Sequence, residues 1–329
     1  MAVTLGLDSN GRKVLNIPSS SPTFCCFEGL ARCLGMGFST SSSSSFFSGG
    51  AAGAAAAART SPLPSTTMPA TRVGHTTMQE PVLIHLTGFG PFGDVLKNPS
   101  SEICEELRSF VEKGVAPEGV PAYLLTDFAA SGIRLQGLEA VEVSAEGCRE
   151  ASTQIHEALA ECAGTSAVLH LGVSSMCEKV HLECRGINEA SFRIPDVRGS
   201  QPGGERVVND PEAPDQIFTS INLPSLLAGL HDRGVSAAIS TDAGRYLCNY
   251  IFYYSLHLNR RRGVPVLFVH VPLFEKMKKA NQVSAILNIL MLMADQLRRR
   301  QGERGRANGG SASGSPTNTG LPKSFKPMG

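Results

Sequence analysis

Three residues have the types needed for acyl transfer: the thiol of Cys248, the imidazole of His270 and the carboxylate of Glu183. A thiolate can attack an acyl carbon, a histidine within hydrogen-bond reach can take and return the proton, and a carboxylate can hold that imidazole in the working tautomer. Cys248 follows the turn Asp242-Ala243-Gly244 and falls in the first turns of a predicted helix, where the positive end of the helix dipole favours thiolate. His270 follows the apolar run Val266-Leu267-Phe268-Val269 and precedes Val271-Pro272, at the carboxyl end of a predicted strand. Glu183 shares the polar side of an alternating segment with Lys179 and His181, opposite Val180, Leu182 and Cys184. Each residue taken singly also fits a bland role: an inert packed thiol, a core histidine satisfied by carbonyls, a solvent-facing strand glutamate. On position alone those roles are the commoner ones.

A second chemistry, phosphate binding, is raised by Gly88-Phe89-Gly90-Pro91-Phe92-Gly93, which has the G-x-G-x-x-G spacing directly after a predicted strand. In a dinucleotide site the helix begins inside the glycine loop, so that its N-terminus meets the pyrophosphate. Here Pro91 and Phe92 interrupt the loop, and the helix signal waits for Asn98-Pro99, a good N-cap followed by a proline suited to the first helical position. Two aromatic side chains in a glycine turn suit a small apolar pocket better. Aromatic residues plugging a sheet edge are the alternative.

The elements that must position these groups alternate in type. Strands are predicted at 82–86, 122–128, 167–171, 179–184, 235–239 and 266–271. Helices are predicted from Asn98, over 149–162, through Leu247, Tyr250, Ile251, Tyr254 and Leu258 to a stop at Gly263, and over 282–298. Such alternation predicts an α/β fold with helices on both sheet faces. A right-handed crossover from the strand before Cys248 to the strand bearing His270 would bring sulfur and imidazole together. No internal repeat is present.

Composition narrows the class. Thirty basic against 29 acidic residues leave a net charge of +1, without the clustered basic excess of a nucleic-acid binder. Hydrophobic residues, at 42%, suffice for a sizeable core, and no apolar run approaches the roughly 18 residues of a membrane span. The nine cysteines are odd in number and irregularly spaced, with no C-x-x-C pair, as expected of reduced thiols in a reducing compartment. Residues 1–78 include a Ser/Thr run at Ser39–Ser45 and an Ala/Gly run at Ala51–Ala58, with few acids. That composition resembles an organellar transit peptide, and a disordered extension fits as well; no compact apolar stretch follows a charged start, as a secretory signal would need. Residues 301–329, rich in Gly, Ser and Pro, read as a disordered tail, which leaves 79–300 as the catalytic domain.

Read together, the segments resemble the pyroglutamyl peptidase I family of cysteine peptidases. The resemblance is carried by Leu86-Thr87-Gly88-Phe89-Gly90-Pro91-Phe92-Gly93 with Asn98-Pro99-Ser100, by His170-Leu171-Gly172-Val173-Ser174, and by Glu183 through Asn188. It continues at Arg193-Ile194-Pro195-Asp196, at Ser240 through Asn249, and at Phe268-Val269-His270-Val271-Pro272, in family order over about residues 82–295. It implies a three-layer α/β/α sandwich with a twisted, mixed, open sheet. Cys248 is then the nucleophile, His270 the general base and acid, and Glu183 the orienting carboxylate, while Phe89, Phe92 and Tyr246 line the pyrrolidone pocket. The implied substrates are small peptides with N-terminal pyroglutamate, with no metal or organic cofactor and no nucleic acid or membrane; the oligomeric state stays open. The family implies a cytosolic location, and the N-terminus allows a plastid instead. Ser175-Met176-Cys177 stands where bacterial members carry Gly-Gly-Arg, and Asp242 and Arg245 replace smaller residues, as in eukaryotic members. A non-catalytic binding protein on the same fold and a nucleotide-dependent enzyme using the Gly88 loop are the competing readings.

Overall fold

Val82, Ile84 and Leu86 lie on one side of the chain and Leu83, His85, Thr87 and Phe89 on the other, and both sides are covered. In the computed structural model this segment is β3 (Val82–Phe89), the second strand from one edge of a six-stranded sheet. The structure describes residues 81–309 except 94, 96 and 163, together with two short strands, β1 (Thr4–Leu7) and β2 (Lys13–Asn16), which pair with each other. Apart from those strands, the expectations for residues 1–78 and for 310–329 lie outside the described residues.

The other strands of the large sheet are β4 (Ile133–Val141), β5 (Thr165–Val173), β6 (Val180–Glu183), β11 (Ala237–Ser240) and β12 (Val266–Val271), in the order β11-β6-β12-β5-β3-β4. The run from β12 to β4 is parallel, β6 is antiparallel to β12, and β11 follows β6. Short strands β7 (Arg185–Ile187) and β10 (Gln216–Phe218) pair apart from this sheet, as do β8 (Ala190–Ser191) and β9 (Gly203–Glu205).

Helices cover both faces. On one, α3 (Ala145–Glu161) and α5 (Leu247–Asn259) bury Ile155, Leu159, Ile251 and Phe252 over Val168 and Phe268. On the other, α1 (Pro99–Lys113), α2 (Ala122–Ala130), α4 (Leu223–Asp232) and α6 (Lys279–Gly309) pack on Ile84, Leu86, Leu169, Leu171, Leu267 and Val269. Strand residues alternate between the two cores, as a period of two requires. The sheet is therefore the middle layer of an α/β/α sandwich.

Three expectations need correction. Residues 122–128 form a helix: Leu124, Leu125 and Phe128 are buried along one side, a spacing of three to four that matches a helix face. The strand beside β3 is β4 instead, whose alternation breaks at a bulge where Gly137 and Leu138 take positive φ of 79° and 57°. Second, β11 and β12 are not neighbours in a parallel crossover, because β6 lies between them and β11 runs opposite to β12. Third, α6 continues to Gly309, past the expected tail boundary at 301.

Candidate active site

α5 leads directly into β12 and runs back along it, so its first turn lies at the carboxyl end of that strand. Phe252 of α5 and Phe268 of β12 pack with ring centroids 5.9 Å apart, fixing the lengthwise alignment of helix and strand. The helix ends at Asn259 and the chain turns at Gly263, which adopts a φ of 67°. Its N-cap, Tyr246, supplies no side-chain hydrogen bond, and the first helical backbone bond runs from the Tyr250 amide to the Tyr246 carbonyl at 3.0 Å. The amides of the first turn therefore have no side-chain cap from Tyr246.

Cys248 sits in this turn, over β5. Its Sγ lies 3.1 Å from where a Cβ on Gly172 would stand, and that Cβ would also meet Phe268 Cζ at 2.6 Å. Gly172 is thus the residue whose missing side chain admits the sulfur. Its register partner on β12 is His270, so sulfur and imidazole share one sheet face. His270 Nδ1 lies 2.7 Å from Oε1 of Glu183, which is 1% exposed, and the edge of the Phe268 ring braces the imidazole at a centroid distance of 4.9 Å. Burial alone would lower the His270 pKa. The charge of Cys248 and a hydrogen bond with it, followed by the hydrogen bond and charge of Glu183, outweigh burial and raise it to about 10. The imidazole stands between a sulfur and a carboxylate, both of which favour its protonated form.

The other groups of these types nearby are placed differently. His170, also on β5, accepts or donates one bond with the Thr87 hydroxyl at 2.7 Å, and burial, then neighbouring His85, lowers its pKa to about 3. It is neutral and has no carboxylate partner. Burial raises the Cys104 thiol to about 12 and holds Cys148 well above its ordinary value as well.

The aromatic residues close one side of the site. Phe92 and Tyr246 pack at 5.8 Å between ring centroids, and Phe89 is buried in the core that runs beneath α5. Phe192, not singled out by the sequence reading, completes this wall by meeting Tyr246 edge-on at 4.7 Å and Tyr250 at 6.2 Å. Its one sequence signal is its position just before Arg193-Ile194-Pro195-Asp196. That segment is strapped over the site. Asp196, 6% exposed, accepts from the backbone amides of Ala145, Arg198 and Ser200, and the Tyr246 hydroxyl donates to the Pro195 carbonyl at 3.3 Å. Asn249, buried beside Cys248, accepts from the Ile187 amide and donates to the carbonyls of Ile187 and Glu189, holding the segment that leaves Glu183.

The Gly88 loop serves packing. A Cβ on Gly88 would fall 2.4 Å from the Ser100 carbonyl oxygen, so glycine lets the first turn of α1 rest on β3. The start of α1 is already capped, its Ser100 amide donating to Asn98 Oδ1, while the loop amides of Phe89 and Gly90 donate to Ser100 Oγ and to the Val141 carbonyl. Among the described residues, the Phe89, Gly90 and Phe92 amides of this loop are thus engaged within the protein, the last with the Val95 carbonyl.

A thiol at a helix start, an imidazole and a buried carboxylate, converging at the carboxyl ends of strands in an α/β sandwich, define a cysteine-type hydrolase. Residues 140–286 match the family model for pyroglutamyl peptidase. The chain is 30% identical over 191 residues to the pyrrolidone-carboxylate peptidase of Pyrococcus furiosus, covering 57% of this chain and 79% of that one. It is also 30% identical over 202 residues to that of Oceanobacillus iheyensis, covering 61% and 88%. A mutant pyrrolidone carboxyl peptidase from P. furiosus superposes with a TM-score of 0.54 at 25% identity, over 65% of this chain and 99% of that chain. The chain belongs to the pyroglutamyl peptidase family.

Proposed function

We propose that the chain removes N-terminal pyroglutamyl residues from peptides, with Cys248 as nucleophile, His270 as acid and base and Glu183 as the carboxylate that orients His270. The observation that carries this reading is the convergence of Cys248 Sγ on Gly172, directly opposite His270, with Glu183 Oε1 2.7 Å behind the imidazole.

The sulfur attacks the pyroglutamyl carbonyl carbon. The tetrahedral intermediate collapses as the C–N bond breaks, and His270 Nε2–H protonates the departing amine, leaving a thioester on Cys248. His270, now neutral, takes a proton from water, whose oxygen attacks the thioester; pyroglutamate leaves and the resting Cys248–His270 pair returns. Backbone amides of the Gly88 turn and of the first turn of α5 are the two groups suited to an oxyanion; those of Phe89 and Gly90 are engaged, which favours the uncapped first turn of α5. Phe89, Phe92 and Tyr246 offer aromatic faces to a small, neutral lactam ring, and backbone groups satisfy its N–H and C=O.

Purified chain should release the fluorescent amine from pyroglutamyl-aminomethylcoumarin, and Cys248→Ala should not. Turnover retained by Cys248→Ala would remove the nucleophile assignment. We assign the protein to the cytosol, a reading supported by the free state of Cys104, Cys148, Cys162, Cys177, Cys184 and Cys248. Among the described residues no helix is long and apolar enough to cross a membrane.

A further inference from the structure

The site has two flanks, and the aromatic wall occupies only one. Across the sheet the order is β3 with Phe89, β5 with Gly172 under the sulfur, β12 with His270, and then β6. If the pyroglutamyl ring lies on the β3 side, the departing peptide lies on the other side of the sulfur, because the proton it needs comes from His270. Continuing in that direction by one strand, roughly 4.8 Å, leads to β6. The β6 residue directly opposite His270 is His181, so the two imidazoles stand on the same face.

His181 does not belong to the triad, yet it is held as a working histidine is held. Its Nδ1 lies 3.3 Å from the Sγ of Cys177, which is 4% exposed, while the His181 ring is only half-buried. With the Cys177 thiol donating to Nδ1, the ring's own N–H is on Nε2. Met176, beside Cys177 in the turn after β5, is 85% exposed at the same end of the sheet.

We propose that His181, set by Cys177, is a specificity residue for the leaving peptide, its Nε2–H donating to the carbonyl oxygen of the residue that follows pyroglutamate. Resting on the peptidase reading given above, this assigns the substrate class as pyroglutamyl peptides with a complete amino-acid residue after the scissile bond, in preference to pyroglutamyl amides of simple amines. Cys177 is a positioning residue that acts through His181.

The test compares kcat/KM for two substrates, pyroglutamyl-alanine amide and pyroglutamyl-aminomethylcoumarin, the second of which has no carbonyl at the corresponding place. The peptide-to-coumarin ratio should fall about tenfold in His181→Ala, chiefly through KM for the peptide, the size expected for one lost hydrogen bond. His181→Gln, which retains an N–H donor, should recover part of the ratio, and Cys177→Ala should lower it by about threefold. A ratio within twofold of wild type in both His181→Ala and Cys177→Ala overturns the proposal, even if both rates fall together, since that pattern marks a structural effect on His270. Wild-type chain that turns over neither substrate overturns the peptidase reading and this proposal with it; turnover with an unmoved ratio overturns this proposal alone.

Discussion

Glu183 and His270 meet across an antiparallel strand pair: Oε1 and Nδ1 are 2.7 Å apart, although Glu183 is in register with Phe268, two residues before His270. The carboxylate reaches diagonally along the shared face. It is 1% exposed, and its other oxygen, Oε2, is buried with no protein partner, so its main polar contact is the imidazole.

This pairing sets a pH dependence. His270 has a pKa of about 10 in the folded chain against an ordinary value of 6.5. A raised folded-state value means that the stabilisation is complete below about pH 6.5 and is lost as pH rises through about 10. The alkaline limb of kcat/KM should fall in the same window. Glu183→Gln removes one of the groups raising that value, so the limb should move to lower pH by about one unit. A pH–rate profile of the two proteins checks this; an unmoved limb in Glu183→Gln would separate the carboxylate from the base.

Cys248→Ser keeps the shape of the site and replaces a strong nucleophile by a weak one. Turnover of pyroglutamyl-aminomethylcoumarin should drop by about 10³-fold or more, with the thermal midpoint close to wild type. Iodoacetamide at neutral pH should inactivate the wild type by modifying Cys248 before Cys104 or Cys148, whose thiols burial holds protonated. Peptide mass mapping at partial inactivation reads the order.

Gly172→Ala places a methyl 2.6 Å from Phe268 Cζ and 3.1 Å from Cys248 Sγ. The expected cost is about 1–3 kcal/mol of stability, with activity falling further than stability because the sulfur itself must move. Urea unfolding and the coumarin assay on the same preparation separate the two losses.

Tyr246 joins the pocket wall to the strap over it. Tyr246→Ala loses ring contacts with Phe92 and Phe192 and should raise KM about tenfold. Tyr246→Phe loses only the bond to the Pro195 carbonyl and should stay within about threefold of wild type, as one exposed hydrogen bond warrants. Steady-state kinetics on the dipeptide amide distinguishes them.

Asn249→Ala removes the side-chain acceptor of the Ile187 amide and the donor to the Glu189 carbonyl, leaves the Ile187 carbonyl with the Glu189 amide alone, and should cost about 2 kcal/mol. The thermal midpoint measures it.

The sequence made local features readable where one face or one cap dominates. Asn98 caps α1, donating from its side chain to the Gly90 carbonyl and accepting from the Ser100 amide, as its place before Pro99 suggests. β12 and the α5 stripe were likewise legible from apolar runs and helical spacing. Strand direction was not, because nothing in Ala237–Ser240 encodes that β6 will insert between it and β12. The helix at 122–130 was misread as a strand because Leu124-Leu125 and Phe128 make a short apolar run that fits either period until the core is known. Burial of Glu183 depends on the same long-range pairing, so alternation placed it on the polar side without revealing that this side is covered. Phe192 escaped because its role is contact with Tyr246 and Tyr250, more than fifty positions away in the chain.

The stretch from Cys248 to Phe252 acts as a ruler. Nucleophile and base belong to one continuous helix–turn–strand stretch, and the Phe252–Phe268 contact sets where along the strand the helix stops. With Phe252 seated on Phe268, one residue added between Cys248 and Phe252 would move the sulfur by about 1.5 Å along the helix and about 100° around it, carrying it off the imidazole. The same addition after Asn259, in the turn at 260–265, would leave the spacing from Phe252 to the sulfur unchanged.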